Sequence, residues 1–136
     1  PVGDVRYRDL RERFHHLGFV DRAELEELYL AASCVAIPTI NEGFGLPLLE
    51  AQVRGAPVIA SSIPALREVA EPESAFWVER PLDPQSWASA ILEVTGNPTL
   101  RQSLIDAGAT SAGAHSWEAV ATDLAAELLA LADATA

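Results

Sequence analysis

Three short apolar runs dominate the middle of the chain: CVAIP at 34–38, PVIAS at 57–61 and AFWV at 75–78. None alternates apolar with polar residues, as a strand with one wet face would, so each reads as a strand covered on both sides of a parallel sheet. The segments between them carry helical spacing and helix stop signals. A helix-then-strand repeat of this kind restricts the fold to an α/β architecture. The expected form is a Rossmann-like, doubly wound parallel sheet flanked by helices. Glu79 and Arg80, directly after AFWV, mark where that strand meets solvent.

The flanking segments extend the pattern. Residues 7–16 (YRDLRERFHH) place Leu10 and Phe14 four apart among charges, a short amphipathic helix, and LGFV at 17–20 is an apolar run of strand length. Asp21 with Glu24 three residues on has capping-box spacing. The helix it starts carries Leu25, Leu28, Tyr29 and Ala32 on one face and closes at Ser33. After Pro38 ends the next strand, the loop TINEGFG leads to Pro47 at a favoured first helical position, and LLEAQVR stops at Gly55. ALREVA after SSIP is a short helix. From Asp83 the chain is all helical: one helix through Trp87, Ile91 and Leu92, a break at GNPT, a second helix over 100–114, and a third capped by Ser116 and running to about Ala134. In the last, Val120, Leu124, Leu128 and Leu131 form an apolar stripe that must bury against the rest of the chain or against another domain.

Composition narrows the function classes. With 136 residues, 49% apolar, a single domain can hold a core without staples. The lone Cys34 lies in an apolar run and reads as a small buried side chain; with only His15, His16 and His115 beside it, no disulfide framework and no zinc site can be assembled. His15 and His16 end a charged helix and are expected in solvent. The nine basic residues are all arginines against twenty acidic ones, a formal charge of −11, which makes nucleic acid and anionic membrane poor partners. No apolar run reaches the roughly 18 residues of a membrane span and no signal peptide opens the chain, so a cytoplasmic location is expected. The absence of methionine and the featureless PVGDVRYRDL opening point to a domain cut from a longer protein, 1–136 being one unit truncated at its N-terminal side.

The segment Asn41–Gly55 carries the chemistry. A loop leaving the carboxyl end of a buried parallel strand and entering a helix is where open α/β sheets bind ligands. Gly43 and Gly45 leave the main chain accessible, so N–H groups near Phe44, Gly45 and Leu46 can approach oxygens, and the helix start near Pro47 favours a phosphate. Glu42 and Glu50, with seven residues between them, flank that pocket, and Glu50 should lean back toward its mouth. Carboxylates accept hydrogen bonds from hydroxyls, so the pair implies a ligand with both phosphate and hydroxyl groups, such as a sugar nucleotide. Alone, Glu50 reads equally as a dipole-compensating surface residue and the glycines as a mere turn. The apolar neighbours in GLPLLEAQV instead argue for a shielded carboxylate that needs a hydrogen-bonding partner.

EGFGLPLLEAQVRGAPVIASSIPALREV resembles the donor-binding segment of retaining glycosyltransferases of the large family 4, whose GT-B fold has two facing Rossmann-like domains. LGFVDRAELEELYLAASCVAIPT, PLDPQSWASAI and HSWEAVA extend the resemblance over most of the chain. It implies a C-terminal, donor-binding half of a GT-B enzyme that passes a hexosyl group from a nucleoside diphosphate to an acceptor hydroxyl with retention and without a metal or other cofactor. It further implies that Glu42, as the catalytic-site acid, contacts the donor sugar and that Glu50 holds the ribose. The backbone of Gly43, Phe44, Gly45 and Leu46 would hold sugar and diphosphate, and Gly18, Phe19 and Val20 would lie by the base. The family's diphosphate-neutralising Arg and Lys match nothing here, since the chain has no lysine, and the isolated chain is expected to be inactive. GDP-mannose and UDP-glucose are the leading donors. The absent acceptor-binding domain is the expected partner, with peripheral membrane association through that domain and self-association through the last helix as further expectations.

Departures from the family pattern are Arg67 in place of the usual proline, branched Val53, and EPESA in place of a Gly-Asp-Ala-like turn. Arg67 reads as a surface residue or a phosphate-side cation, and Arg54 as a solvated helix end. A glycoside hydrolase would use two acids at about 5–9.5 Å, but needs no phosphate-ready helix start. Cys34 as a nucleophile conflicts with its strand. A non-catalytic nucleotide-sugar-binding module and a GT-B-type nucleotide-sugar epimerase are the alternatives kept.

Overall fold

A computed structural model describes residues 13–134. The elements are α1 (Arg22–Ala31), β1 (Val35–Ile37), α2 (Leu46–Val53), β2 (Val58–Ser61), α3 (Pro64–Val69), β3 (Phe76–Val78), α4 (Pro84–Gly96), α5 (Pro98–Gly113) and α6 (Trp117–Ala134). The three strands form a parallel sheet in the order β1-β2-β3, pairing Val35 with Val58 and Ile59 with Phe76. Parallel neighbours need long crossovers, and α2 and α3 supply them.

β2 is central and all four of its residues are buried. Its side chains alternate between two apolar clusters, which is why its sequence does not alternate in polarity. Val58 and Ala60 pack with Leu48, Leu49 and Leu66 of α2 and α3. Ile59 packs on the other face with Ala90 and Val94 of α4 and Leu104 of α5. Helices thus cover both faces, as a doubly wound sheet requires. Cys34 is half-buried beside the second cluster and burial pushes its thiol up, in keeping with a packing role.

The helix ends are specified locally. Asp21 Oδ1 accepts from the Glu24 N–H at 2.9 Å, Asp83 Oδ1 from Gln85, Asn97 Oδ1 from Leu100 and Ser116 Oγ from Ala119. At the far end of α2, Gly55 has φ +71°, and its N–H and that of Ala56 return to the carbonyls of Gln52 and Ala51. This is the Schellman arrangement that glycine permits.

A buried polar knot fastens α2 to the rest. Gln52, 1% exposed, donates through Nε2 to the Ser74 carbonyl and hydroxyl, each at 3.0 Å. Ser74 Oγ donates to the Glu71 carbonyl, and the Glu71 N–H donates to Ser111 Oγ of α5. The EPESA turn therefore has a structural purpose, and α5 approaches closely because a Cβ at Gly108 would stand 3.1 Å from Gln52 Cγ.

Two expectations fail. Residues 17–20 form no strand: Leu17 is 51% and Phe19 99% exposed, and Gly18 turns at φ +68°. A run of strand composition becomes a strand only where a neighbour completes its ladder, and no described strand pairs with this one. Of the helix expected over 7–16, residues 7–12 lie outside the described residues and 13–16 are not helical. The rest of the chain does not cover the stripe of α6, where Val120, Leu124 and Leu128 are 47%, 58% and 58% exposed, so cover by another domain is the expectation that stands. Helical periodicity sets which side chains share a face but supplies no surface to cover them. Among the described residues no helix is long and apolar enough to cross a membrane.

Candidate functional site

The loop after β1 leaves the carboxyl edge of the sheet and turns into α2. Gly45 makes the turn: its φ is +84°, it occupies the N-cap position, and its carbonyl accepts from the Leu48 and Leu49 N–H groups. A Cβ there would stand 2.6 Å from Leu66 Cδ2 and 3.4 Å from Val69 Cγ2 of α3. Glycine is thus demanded twice, by a left-handed backbone and by close α2–α3 packing, before any ligand is considered. At Gly43 an added Cβ would meet nothing within 4 Å, so that part of the loop is open.

The N–H groups of Phe44, Gly45 and Leu46 find no acceptor among the described residues, and Pro47 has none to offer. Three adjacent donors at the positive end of a helix form a cradle of N–H groups that could hydrogen-bond an anion. Glu42, half-buried, accepts from the Gly43 N–H through Oε1 at 3.2 Å, which fixes the carboxylate against the loop. The side chains of Phe44 and Leu46 are 51% and 58% exposed, and the Phe44 ring meets His115 edge-on with centroids 6.4 Å apart.

Glu50 lies one turn further along α2 and faces a separate cleft of about 170 Å³. Val20, Leu25, Glu26, Tyr29 and Arg54 share its lining, so the structure brings together Val20 and Glu50 of the expected site residues. Glu42 and the glycine loop lie outside that lining, at the head of the same helix. Glu50 is exposed to the cleft rather than shielded by its apolar sequence neighbours, because those neighbours, Leu48, Leu49 and Ala51, occupy the opposite side of α2.

Sequence reasoning passed over the rest of this cleft. Arg54 is not a solvated helix end: its side chain is 19% exposed, Nη2 donates to Glu26 Oε1 across from α1, and Nη1 donates to the Glu50 carbonyl at 3.3 Å. Arg22 Nε reaches the same Glu26 oxygen at 3.3 Å. The hydrogen bonds from Arg54 and then Arg22 hold the Glu26 carboxyl below its usual range. Tyr29, half-buried, lies beside Glu50; burial first and the Glu50 charge second push its phenol up, so it remains a proton donor at neutral pH. Arg54 and Glu26 are 28 residues apart, and no local pattern announces such a pair.

Arg67 is engaged by groups outside the loop. Its guanidinium stacks on Trp77 at 4.1 Å, pairs with Glu79 at 2.7 Å and donates to Ser62 Oγ. A broader depression along α5 is lined by that helix alone and gathers no reactive set. Among the described residues no three His, Cys, Asp or Glu side chains come together as a metal site.

The family described as glycosyl transferases group 1 matches residues 5–111. A D-inositol 3-phosphate glycosyltransferase of Corynebacterium urealyticum is 40% identical over 102 residues, covering 74% of this chain and 24% of that protein. Its counterpart in Jonesia denitrificans is 33% identical over 129 residues, covering 92% and 30%. The structure of sucrose-phosphate synthase from Thermosynechococcus elongatus superposes with a TM-score of 0.79 at 31% identity, over 96% of this chain and 33% of that one. The chain therefore spans about a quarter to a third of the length of the relatives it matches.

Proposed function

The chain belongs to the group 1 glycosyl transferases, and from that premise we propose that it is the nucleotide-sugar-binding, C-terminal part of a retaining, metal-independent hexosyltransferase. The observation that carries this reading is the cradle at the head of α2, three unpaired N–H groups between Glu42 and Glu50. In the complete enzyme the bond from the anomeric carbon to the diphosphate breaks, a bond to an acceptor hydroxyl oxygen forms on the same face, and the proton of that hydroxyl passes to the departing diphosphate. Negative charge grows on the departing diphosphate. The Phe44, Gly45 and Leu46 amides and the helix dipole stabilise it without rearranging, which is the most effective way to lower such a barrier.

Glu42, tied to the Gly43 N–H, accepts hydrogen bonds from hydroxyls of the donor sugar and orients it. Glu50 accepts from the ribose hydroxyls, and backbone groups near Val20 face the base. GDP-mannose and UDP-glucose are the donors to try first. The relatives' names carry inositol phosphate and sucrose phosphate, so a phosphorylated polyol is the first acceptor to offer. The chain has no lysine to share the diphosphate charge, which favours donor binding without turnover when it is assayed alone.

Calorimetric titration of the purified chain with UDP, GDP, UDP-glucose and GDP-mannose tests the reading. Saturable binding of at least one is expected, and Glu50→Ala should weaken it by about 1.5–3 kcal/mol, the scale of hydrogen bonds to a charged group. A folded protein that binds none of the four overturns the assignment. Turnover of a nucleotide sugar to its epimer, in place of transfer, would favour the epimerase alternative.

A further inference from the structure

The glycine at the turn of the cradle rests on α3. A Cβ at Gly45 would meet Leu66 Cδ2 at 2.6 Å and Val69 Cγ2 at 3.4 Å, so the loop sits directly on those two side chains. Yet α3 has only six residues and no capping side chain at Ile63, too little for a helix to hold itself. Burial of Leu66 and Val69 keeps it against the core but is non-directional and does not fix its orientation.

Arg67 supplies the directional tie. Its main-chain N–H donates to the Ile63 carbonyl at 3.0 Å, a turn-closing bond that a proline at this position would lack. Its guanidinium stacks 4.1 Å over Trp77, and the Trp77 ring is itself fixed by Nε1 donating to the Pro72 carbonyl at 2.7 Å. Nη2 pairs with Glu79 Oε1 at 2.7 Å, and Nε and Nη2 each donate to Ser62 Oγ at 3.1 Å. Ser62 directly follows β2 and Glu79 directly follows β3, so the clamp joins α3 to two neighbouring strand ends. These lie on the carboxyl edge of the parallel sheet, the edge from which the glycine loop leaves. Only a planar fork can stack on the indole while bonding two partners at once; a lysine offers a single point of charge.

Resting on the reading of the cradle as the diphosphate site, we propose that Arg67 is a positioning residue for donor binding. It touches no ligand. It orients α3 against the ends of β2 and β3, and α3, through Leu66, sets Gly45 and with it the Phe44, Gly45 and Leu46 amides.

The test is calorimetric titration of the full chain with UDP and GDP, comparing Arg67→Ala and Val94→Ala with the wild type, with circular dichroism verifying each fold. Val94 is fully buried on the opposite face of the sheet, so its truncation lowers stability without touching α3. Arg67→Ala is expected to weaken nucleotide binding roughly 5- to 20-fold, the scale of one lost hydrogen bond to a charged group, and Val94→Ala to bind within about 2-fold of the wild type. If the wild type binds neither nucleotide, the proposed function fails and takes this inference with it. If the wild type binds and Arg67→Ala binds within about 2-fold of it, the inference alone is overturned. Equal weakening in Val94→Ala overturns it too, by showing that lost stability suffices. Should Val94→Ala not fold, the amide resonances of Phe44, Gly45 and Leu46 in ligand-free Arg67→Ala decide: they shift if the clamp sets the loop, and unshifted resonances overturn the inference.

Discussion

The two helices that wall the Glu50 cleft are anchored by opposite means. α2 buries Leu48, Leu49, Ala51 and Gln52 and begins at a glycine that no other residue can replace without strain. α1 buries no residue at all and leans on its neighbour through Tyr29 and through the Glu26–Arg54 pair. Apolar burial is worth about 1.5–3 kcal/mol per large side chain, while partly exposed ion pairs contribute little. The wall that carries Glu50 is therefore the more firmly anchored of the two.

The contrast can be broken most severely at the core. Leu48→Ala should cost about 2–5 kcal/mol, read as a lowered denaturation midpoint, whereas Leu30→Ala on the outer face of α1 should stay within about 0.5 kcal/mol. Comparable losses from both would mean that α1 is as firmly anchored as α2. Gly45→Ala comes next, at about 1–3 kcal/mol for a left-handed non-glycine residue pressed against Leu66, and nucleotide binding should weaken with it. Normal stability and binding in that variant would remove Gly45 as the hinge of the cradle.

Arg54→Ala should leave global stability almost unchanged but raise amide exchange along 22–31 more than along 46–53. Uniform exchange would show that the ion pair does not hold α1. The smallest effect is the pH dependence of the same tie. Hydrogen bonds from Arg54 and Arg22 depress the Glu26 carboxyl below its ordinary value of 4.5, so its contribution is complete above pH 4.5 and fades as pH falls through the lower folded value. Exchange of α1 amides, corrected for intrinsic rates, should accelerate below pH 4.5 in the wild type and show a smaller step in Arg54→Ala, where only Arg22 still pairs with Glu26. A step of the same size in both proteins would assign the titration elsewhere.

Much of the scaffold was legible beforehand because its signals are local. Asp21, Asp83 and Ser116 cap the helices expected of them, Gly55 stops α2, and 34–38, 57–61 and 75–78 each contain a strand. The run 17–20 misled because composition records a side chain's suitability for a strand and not whether a partner lies beside it. Arg54 misled for a related reason, and the role of Gln52 left no local sign. Arg54 beside a terminal glycine resembles any solvated helix end until Glu26 is brought to it, and Gln52 resembles a surface amide until Ser74 arrives from 22 residues away. Of the site, the Glu42–Glu50 spacing and the glycine loop were visible, while Tyr29, Glu26 and Arg54 were not.

What residue order by itself determined is the set of one-body and near-neighbour preferences: where backbone must turn left-handed, where N–H groups go unpaired at a helix start, and which runs avoid water on both sides. Tertiary structure alone decided which of those surfaces found cover and which charges met. That α1 lines the cleft with a phenol, that Glu50 faces that cleft, and that the rest of this chain leaves the α6 leucines uncovered are all outcomes of distances between segments far apart in the chain. Short-range sterics and capping act over a few residues, whereas burial and ion pairing depend on where the whole fold carries each group.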